Sequence, residues 1–195
     1  FRARQESSGR VVALKMVSPQ TMRELEARQR FLMEVEAMAA VQHPALIPLY
    51  DAGEDGRGRP WLAMMYAAGG SLAERLPGFN RQWRRGAELL VTLARAVAYA
   101  HERGLLHRDL KPANVLFDAA EHPYIADFGL AKWADEDGTV TRAESVLGSP
   151  AYLAPEAAEA GSKATTTVSD VYGLGAIFYE LLSGSRPYEG TSAPE

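Results

Sequence analysis

The chain has 195 residues, a net charge of −4 and no cysteine. With 47% hydrophobic and 24% charged residues it has the balance of a globular protein that can build a core, as one domain or two small lobes. The acidic balance leaves no basic footprint for nucleic acid, the missing cysteines exclude disulfide and thiolate chemistry, and no apolar run reaches the roughly 18 residues of a membrane span.

Residues 1–5 and 10–17 read as strands around a turn at Ser7, Ser8 and Gly9. Residues 21–40 read as a helix in which Phe31, Val35 and Met38 form one apolar face, with Glu34 at its edge. Two further strands, 46–52 and 61–66, flank the polar loop 53–60. Ala67, Ala68, Gly69 and Gly70 make a flexible link, and the boundary between lobes 1–67 and 68–195 is set there. Helical patterning then dominates: Leu89, Leu90, Leu93 and Val97 mark a helix over 81–103 that Gly104 stops. Short apolar strands follow at 115–118 and 124–126. The stretch 127–156 is polar and aperiodic, and loops of that length inside compact domains are usually functional. Residues 168–182 read as a buried apolar helix with Ser169 or Asp170 as its N-cap.

Chemistry concentrates in His107-Arg108-Asp109-Leu110-Lys111-Pro112-Ala113-Asn114 and in Asp127-Phe128-Gly129. An acid, a cation, an amide and a second acid at these separations suit phosphoryl transfer from a magnesium nucleotide. Asp109 can accept the proton of a substrate hydroxyl, and Lys111 can neutralise charge on the moving phosphoryl group. Asn114 and Asp127 can hold Mg²⁺, which prefers few protein oxygens beside phosphates and water. The plainer alternatives are a turn or cap role for Asp109 and a turn cap with Gly129 for Asp127. His107 beside Asp109 invites a hydrolytic triad, but no G-x-S-x-G nucleophile motif accompanies it. His43, His101 and His122 show no partner pattern and read as surface residues.

These motifs resemble those of the protein-kinase family, and others follow in the family's order. Val12-Ala13-Leu14-Lys15 resembles its lysine strand, and Glu34 stands where the family places a helical glutamate. Ala154-Pro155-Glu156 resembles the close of its activation segment, and Ser169-Asp170-Val171-Tyr172-Gly173-Leu174-Gly175 the start of a central helix. On these motifs the chain is identified as a member of the eukaryotic-like (Hanks-type) serine/threonine kinases, and its alanine- and arginine-rich helices suggest a bacterial one. The resemblance implies an α+β, bilobal fold, with a small β-rich N-lobe carrying one helix and a mainly helical C-lobe. It also implies truncation at both ends, with a glycine-rich loop expected before Phe1 and further helices after Glu195, so that the fragment alone binds ATP weakly and turns over poorly.

The resemblance further implies ATP and Mg²⁺, with Mn²⁺ as a substitute, and transfer to serine or threonine of protein substrates. Lys15, held by Glu34, would meet the α- and β-phosphates, with Asp109 and Lys111 at the reacting end and Asn114 and Asp127 on the metal. Ala13 and Leu116 would sandwich the adenine. Met65, Tyr66 and Ala67 would form the hinge, and Met64 would limit the back pocket. His107 and Phe128 would pack with Met38 and Leu49 into a spine anchored by Asp170. Thr141 and Ser145 are the expected phosphosites, with Arg30, Arg108 and Lys132 to receive the phosphate. Ser149 would bridge Asp109 and Lys111. Glu156 would lack its usual arginine, and the helix over 168–182 would expose apolar surface. Self-association for autophosphorylation and a cytoplasmic location, with any anchor elsewhere in the parent protein, complete these expectations. Two competing readings are a catalytically silent scaffold, against which the intact Lys15, Asp109, Asn114 and Asp127 count, and a small-molecule phosphotransferase, against which Ala154-Pro155-Glu156 counts.

Overall fold

The fold is described from a computed structural model over residues 1–16, 25–79, 82–128, 150–160 and 164–188, with the backbone alone at 25–30, 32, 34, 150 and 160. An antiparallel sheet opens the chain. Its strands are β1 (Arg2–Arg4), β2 (Val11–Met16), β3 (Leu49–Glu54) and β4 (Pro60–Met65), in the order β1-β2-β4-β3. Val12 faces Met65 across the β2–β4 ladder and Lys15 faces Leu62, so Ala13 and Lys15 share a face two residues apart. Helix α1 (Leu25–Ala40) lays Phe31 and Val35 on Leu62 of β4. The strand expected to start at 46 starts instead at Leu49. Leu46 is diverted into a bridge with Ile125, and the ladder shifts register between Leu49 and Asp51.

The second part is built on two packed helices, α3 (Trp83–His101) and α5 (Thr167–Ser183). Leu89, Leu93, Ala96, Val97 and Ala100 bury one face of α3, the i, i+3, i+4 pattern of an amphipathic helix. Gly86, buried on the same face, lies against α5, where an added Cβ would make an ordinary contact 3.6 Å from Leu181. Two short helices, α2 (Leu72–Arg75) and α4 (Pro155–Ala160), were not foreseen. The small hairpin β5 (Val115–Phe117) and β6 (Pro123–Ile125) packs into the same core as α3. The segment after α1 is stitched to that hairpin: Ile47 N–H donates to Ile125 O at 2.9 Å, and Ile125 N–H to Ala45 O at 2.9 Å.

The expected N-cap of α5 is corrected. Thr166 caps it, accepting from Val168 N–H, and Ser169 at the third position accepts from Thr166 N–H at 3.0 Å. The helix therefore starts one residue earlier than the apolar pattern indicates, because its cap is a polar residue ahead of the apolar run. Val168, Val171, Tyr179 and Leu182 of α5 are exposed, as the resemblance implied.

Candidate active site

A cleft of about 430 Å³ lies between the sheet and the β5–β6 hairpin. Ala13 and Lys15 of β2 border it on one side, Met64 and Met65 at the end of β4 close it, and Asn114, Leu116 and Asp127 face them. Seven sequence-predicted site residues thus share one cavity. Tyr66 and Ala67 follow β4 and do not line it.

The turn carrying Asp109 is held from below by one buried carboxylate. Asp170, near the start of α5, is 2% exposed. Its Oδ2 accepts the His107 N–H at 2.8 Å, its Oδ1 the Arg108 N–H at 2.8 Å, and His101 Nε2 sits 2.7 Å from Oδ2. These bonds hold Arg108 at φ +70°, a left-handed conformation that costs a non-glycine residue about 1 kcal/mol. His101 is therefore not the surface residue expected; its partner lies 69 positions away, beyond any local pattern.

His107 is fully buried. It donates from Nε2 to Ala126 O at 2.9 Å and accepts the Asp109 N–H at Nδ1, 3.2 Å away, so both partners select the neutral Nε2–H tautomer. Burial pushes its pKa down, and the nearby Asp170 carboxylate opposes the shift only in part. Its ring meets Phe128 edge-on, 4.6 Å between centroids. Phe128 borders a smaller apolar cavity with Met38, Leu49 and Met64, which brings together the four expected spine residues.

Above this support the polar groups interlock. Lys111 Nζ lies 2.7 Å from Asp109 Oδ2. Asn114, in a 3₁₀ turn that feeds directly into β5, donates from Nδ2 to Asp109 O at 2.8 Å and to Asp109 Oδ2 at 3.1 Å. Its amide nitrogen is committed to Asp109, so the amide oxygen is the atom that could hold a cation. Asp127, at φ +65° just after β6, turns its carboxylate to Lys15 Nζ at 2.9 Å. Lys15 was expected beside Glu34. Glu34 lies on α1 with its side chain outside the described residues, and among described side chains the lysine's partner is Asp127.

Arg30 is on α1, its side chain likewise outside the described set. Lys132, Thr141, Ser145 and Ser149 also lie outside the described residues. Glu156, expected to lack an arginine, meets a hydroxyl: Ser169 donates to its Oε1 at 2.5 Å and lowers its pKa. The hydroxyl reaches it because the capping box turns Ser169 back over α4. One further residue escaped the sequence reading. Glu180 of α5, 7% exposed, accepts the hydroxyl of buried Tyr152, a pairing across 28 positions.

The whole chain, residues 1–195, matches the family model described as protein kinase domain. The chain is 37% identical over 198 residues to the DNA damage-responsive serine/threonine-protein kinase RqkA of Deinococcus radiodurans, covering 98% of this chain and 29% of that protein. Serine/threonine-protein kinase PknB of Mycobacterium tuberculosis is 34% identical over 188 residues, 94% of this chain and 30% of that protein. The crystal structure of the Mycobacterium tuberculosis PknI kinase domain aligns with a TM-score of 0.73 at 29% identity, over 95% of this chain and 68% of that one. The chain spans less than a third of the length of the curated relatives it matches.

Proposed function

Because this chain belongs to the protein kinase family, which its full length matches, we propose that it carries the catalytic site of a serine/threonine kinase, transferring the γ-phosphoryl group of ATP to protein hydroxyls. The observation that carries the reading is the convergence of Lys15, Asn114 and Asp127 on one cleft, with Asn114 bonded to Asp109 and Asp109 to Lys111. The lobe boundary is drawn after Ala67, a reading supported by the end of β4 at Met65 and the start of α2 at Leu72.

Asp109 accepts a hydrogen bond from the attacking hydroxyl and receives its proton late in the transfer. In a loose transition state its placement counts for more than its basicity. The Asn114 amide and the Arg108 backbone fix that placement. Lys111, already 2.7 Å from Asp109, meets the charge of the moving phosphoryl group. Lys15 exchanges Asp127 for the α- and β-phosphates when nucleotide enters, and this frees the carboxylate. The donor set of one amide oxygen and one carboxylate, bordering the same cleft, fits Mg²⁺, with Mn²⁺ as an alternative. A divalent ion held there would supply charge neutralisation on the phosphates. Met64 and Met65 close the cleft where the base would lie, with Ala13 and Leu116 on its two faces. Thr141 and Ser145 are the candidate phosphosites. Arg30, Arg108 and Lys132 are the candidate receivers of that phosphate. Autophosphorylation between copies is the corresponding partner reading.

The purified protein, incubated with radiolabelled ATP and Mg²⁺, is expected to label a generic protein on serine or threonine, and Asp109→Asn to lower the rate by about 10²–10⁴-fold. Label appearing on small hydroxyl compounds and not on protein would sink the reading, as would an Asp109→Asn rate equal to wild type.

A further inference from the structure

Arg75, the last residue of α2, takes no part in the chemistry described above, yet it joins three segments around the cleft. Its Nε and Nη2 both donate to Gly69 O, at 2.8 and 2.6 Å. Its Nη2 also donates to Glu121 Oε1 at 2.8 Å, and its Nη1 pairs with Glu121 Oε2. Its guanidinium lies 4.3 Å over the ring of Phe117. One planar cation thus grips the strap that leaves β4, the strand β5 and the turn before β6. The fork suits this task, because two parallel N–H bonds fix an angle as well as a distance.

The strap is held against β5 by backbone bonds as well. Gly69 N–H donates to Phe117 O at 2.7 Å and Phe117 N–H to Gly70 O at 2.9 Å. At Gly69 a side chain is excluded, since a Cβ would stand 2.8 Å from both Phe117 O and Arg75 Nη2. Met65 precedes Gly69 by four positions and Leu116 precedes Phe117 by one. Both residues border the cleft, Met65 at its closed end. The position of the strap on β5 therefore sets where that closed end stands relative to Leu116, one face of the base site.

We infer that Arg75 is a positioning residue for the nucleotide base: it holds the closed end of the cleft, Met64 and Met65, in place relative to Leu116, and so governs nucleotide affinity and not the transfer step. The inference rests on the reading of the cleft as an ATP site.

Isothermal titration of ADP into the purified protein tests it, beside steady-state kinetics on a protein substrate. Arg75→Ala is expected to raise the ADP Kd and the ATP KM by about tenfold, the size of one lost charge-assisted hydrogen bond, with kcat within about twofold. Adenosine, which has no phosphates, should weaken by the same factor, because the effect sits at the base. Arg75→Lys keeps the charge but not the fork and should recover less than half of the loss on a logarithmic scale. A merely structural role predicts a smaller active fraction, hence lower apparent kcat with Kd and KM unchanged, and that result overturns the inference. So does full rescue by lysine. If Arg75→Ala does not fold, Glu121→Gln, at an exposed position, removes the distal anchor; it should shift Kd in the same direction by about threefold, and an unchanged Kd there is equally fatal. If wild-type protein binds no adenine nucleotide, the kinase reading fails first. If it binds and both variants match it, only the role of Arg75 falls.

Discussion

Asp170→Ala is the substitution whose consequence can be worked furthest from the structure. The carboxylate is 2% exposed and serves three donors: His107 N–H and Arg108 N–H at 2.8 Å each, and His101 Nε2 at 2.7 Å. Hydrogen bonds to a charged acceptor contribute about 1.5–3 kcal/mol each, and a buried donor left alone costs about 1–3 kcal/mol. The three share one group and are not additive, so the loss is set at about 3–5 kcal/mol, the range for breaking a buried charged network. Against a total stability of about 5–15 kcal/mol, that is a large fraction. Asp170→Asn keeps the shape but points an NH₂ at one of the donors, and should cost about half as much. Urea titration of the purified proteins measures both. Asp109 should also lose alignment, since the left-handed Arg108 depends on these bonds. kcat should therefore fall further than the unfolded fraction explains, at a temperature where the variant is folded. An Asp170→Ala variant within 1 kcal/mol of wild type, or an asparagine as costly as alanine, would refute the reasoning.

Two glycines two residues apart on α5, Gly173 and Gly175, should respond in opposite directions. A Cβ on Gly173 would meet Leu110 Cβ at 2.9 Å and Leu110 O at 3.2 Å, so Gly173→Ala overpacks α5 against the catalytic turn and should destabilise by about 1 kcal/mol net of helix propensity. At Gly175 nothing lies within 4 Å, and Gly175→Ala should stabilise by about 0.5–1 kcal/mol; equal signs in thermal unfolding would contradict the packing. Acid should also find His107. Its folded pKa is depressed by burial, so the unfolded chain takes up a proton first as pH falls below about 6.5. The stabilisation is complete above that pH and drains away below it, with a limiting slope of about 1.4 kcal/mol per pH unit. The acids with lowered pKa values, Asp55, Asp118, Glu121 and Glu156, titrate lower, below their ordinary range near 4. Between about pH 6.5 and 4.5 the slope should therefore shrink in His107→Phe, as read by denaturant midpoints across pH, and an unchanged slope would remove the assignment.

What the sequence discloses, and what it hides, follows the range of the interactions concerned. Helix α3 is legible because its apolar positions repeat inside one segment, and β2 and β4 because their runs are bounded by turns. The four-residue α2 is too short for any periodicity, although its capping pair, Ser71 and Glu74, stands in the text as S-x-x-E. The polar cluster of the site is legible for another reason: Asp109, Lys111 and Asn114 are close in sequence, so their contact needs only a tight turn. His101 with Asp170 and Tyr152 with Glu180 are invisible, because each pair is made by packing α5 against distant segments, and no spacing rule reaches across 69 or 28 positions.

On the proposed reading, the same distinction bears on how the cleft would receive a triphosphate. Each of the two acids is covered by a lysine, Asp109 in the adjoining turn by Lys111 at 2.7 Å and Asp127 in the cleft by Lys15 at 2.9 Å. The first pair is local and turns as one unit with the 3₁₀ step to Asn114. The second joins β2 to the chain after β6 across 112 positions, and neither partner is deeply buried, at 40% and 34% side-chain exposure. A pair that open is weakly held, of the order of 1 kcal/mol or less. A charged phosphate can therefore draw Lys15 away at little cost, whereas the Asp109 turn, anchored through Asp170, stays in place. On the proposed reading the reacting end would stay fixed while the binding end exchanges partners, a division of labour that suits phosphoryl transfer.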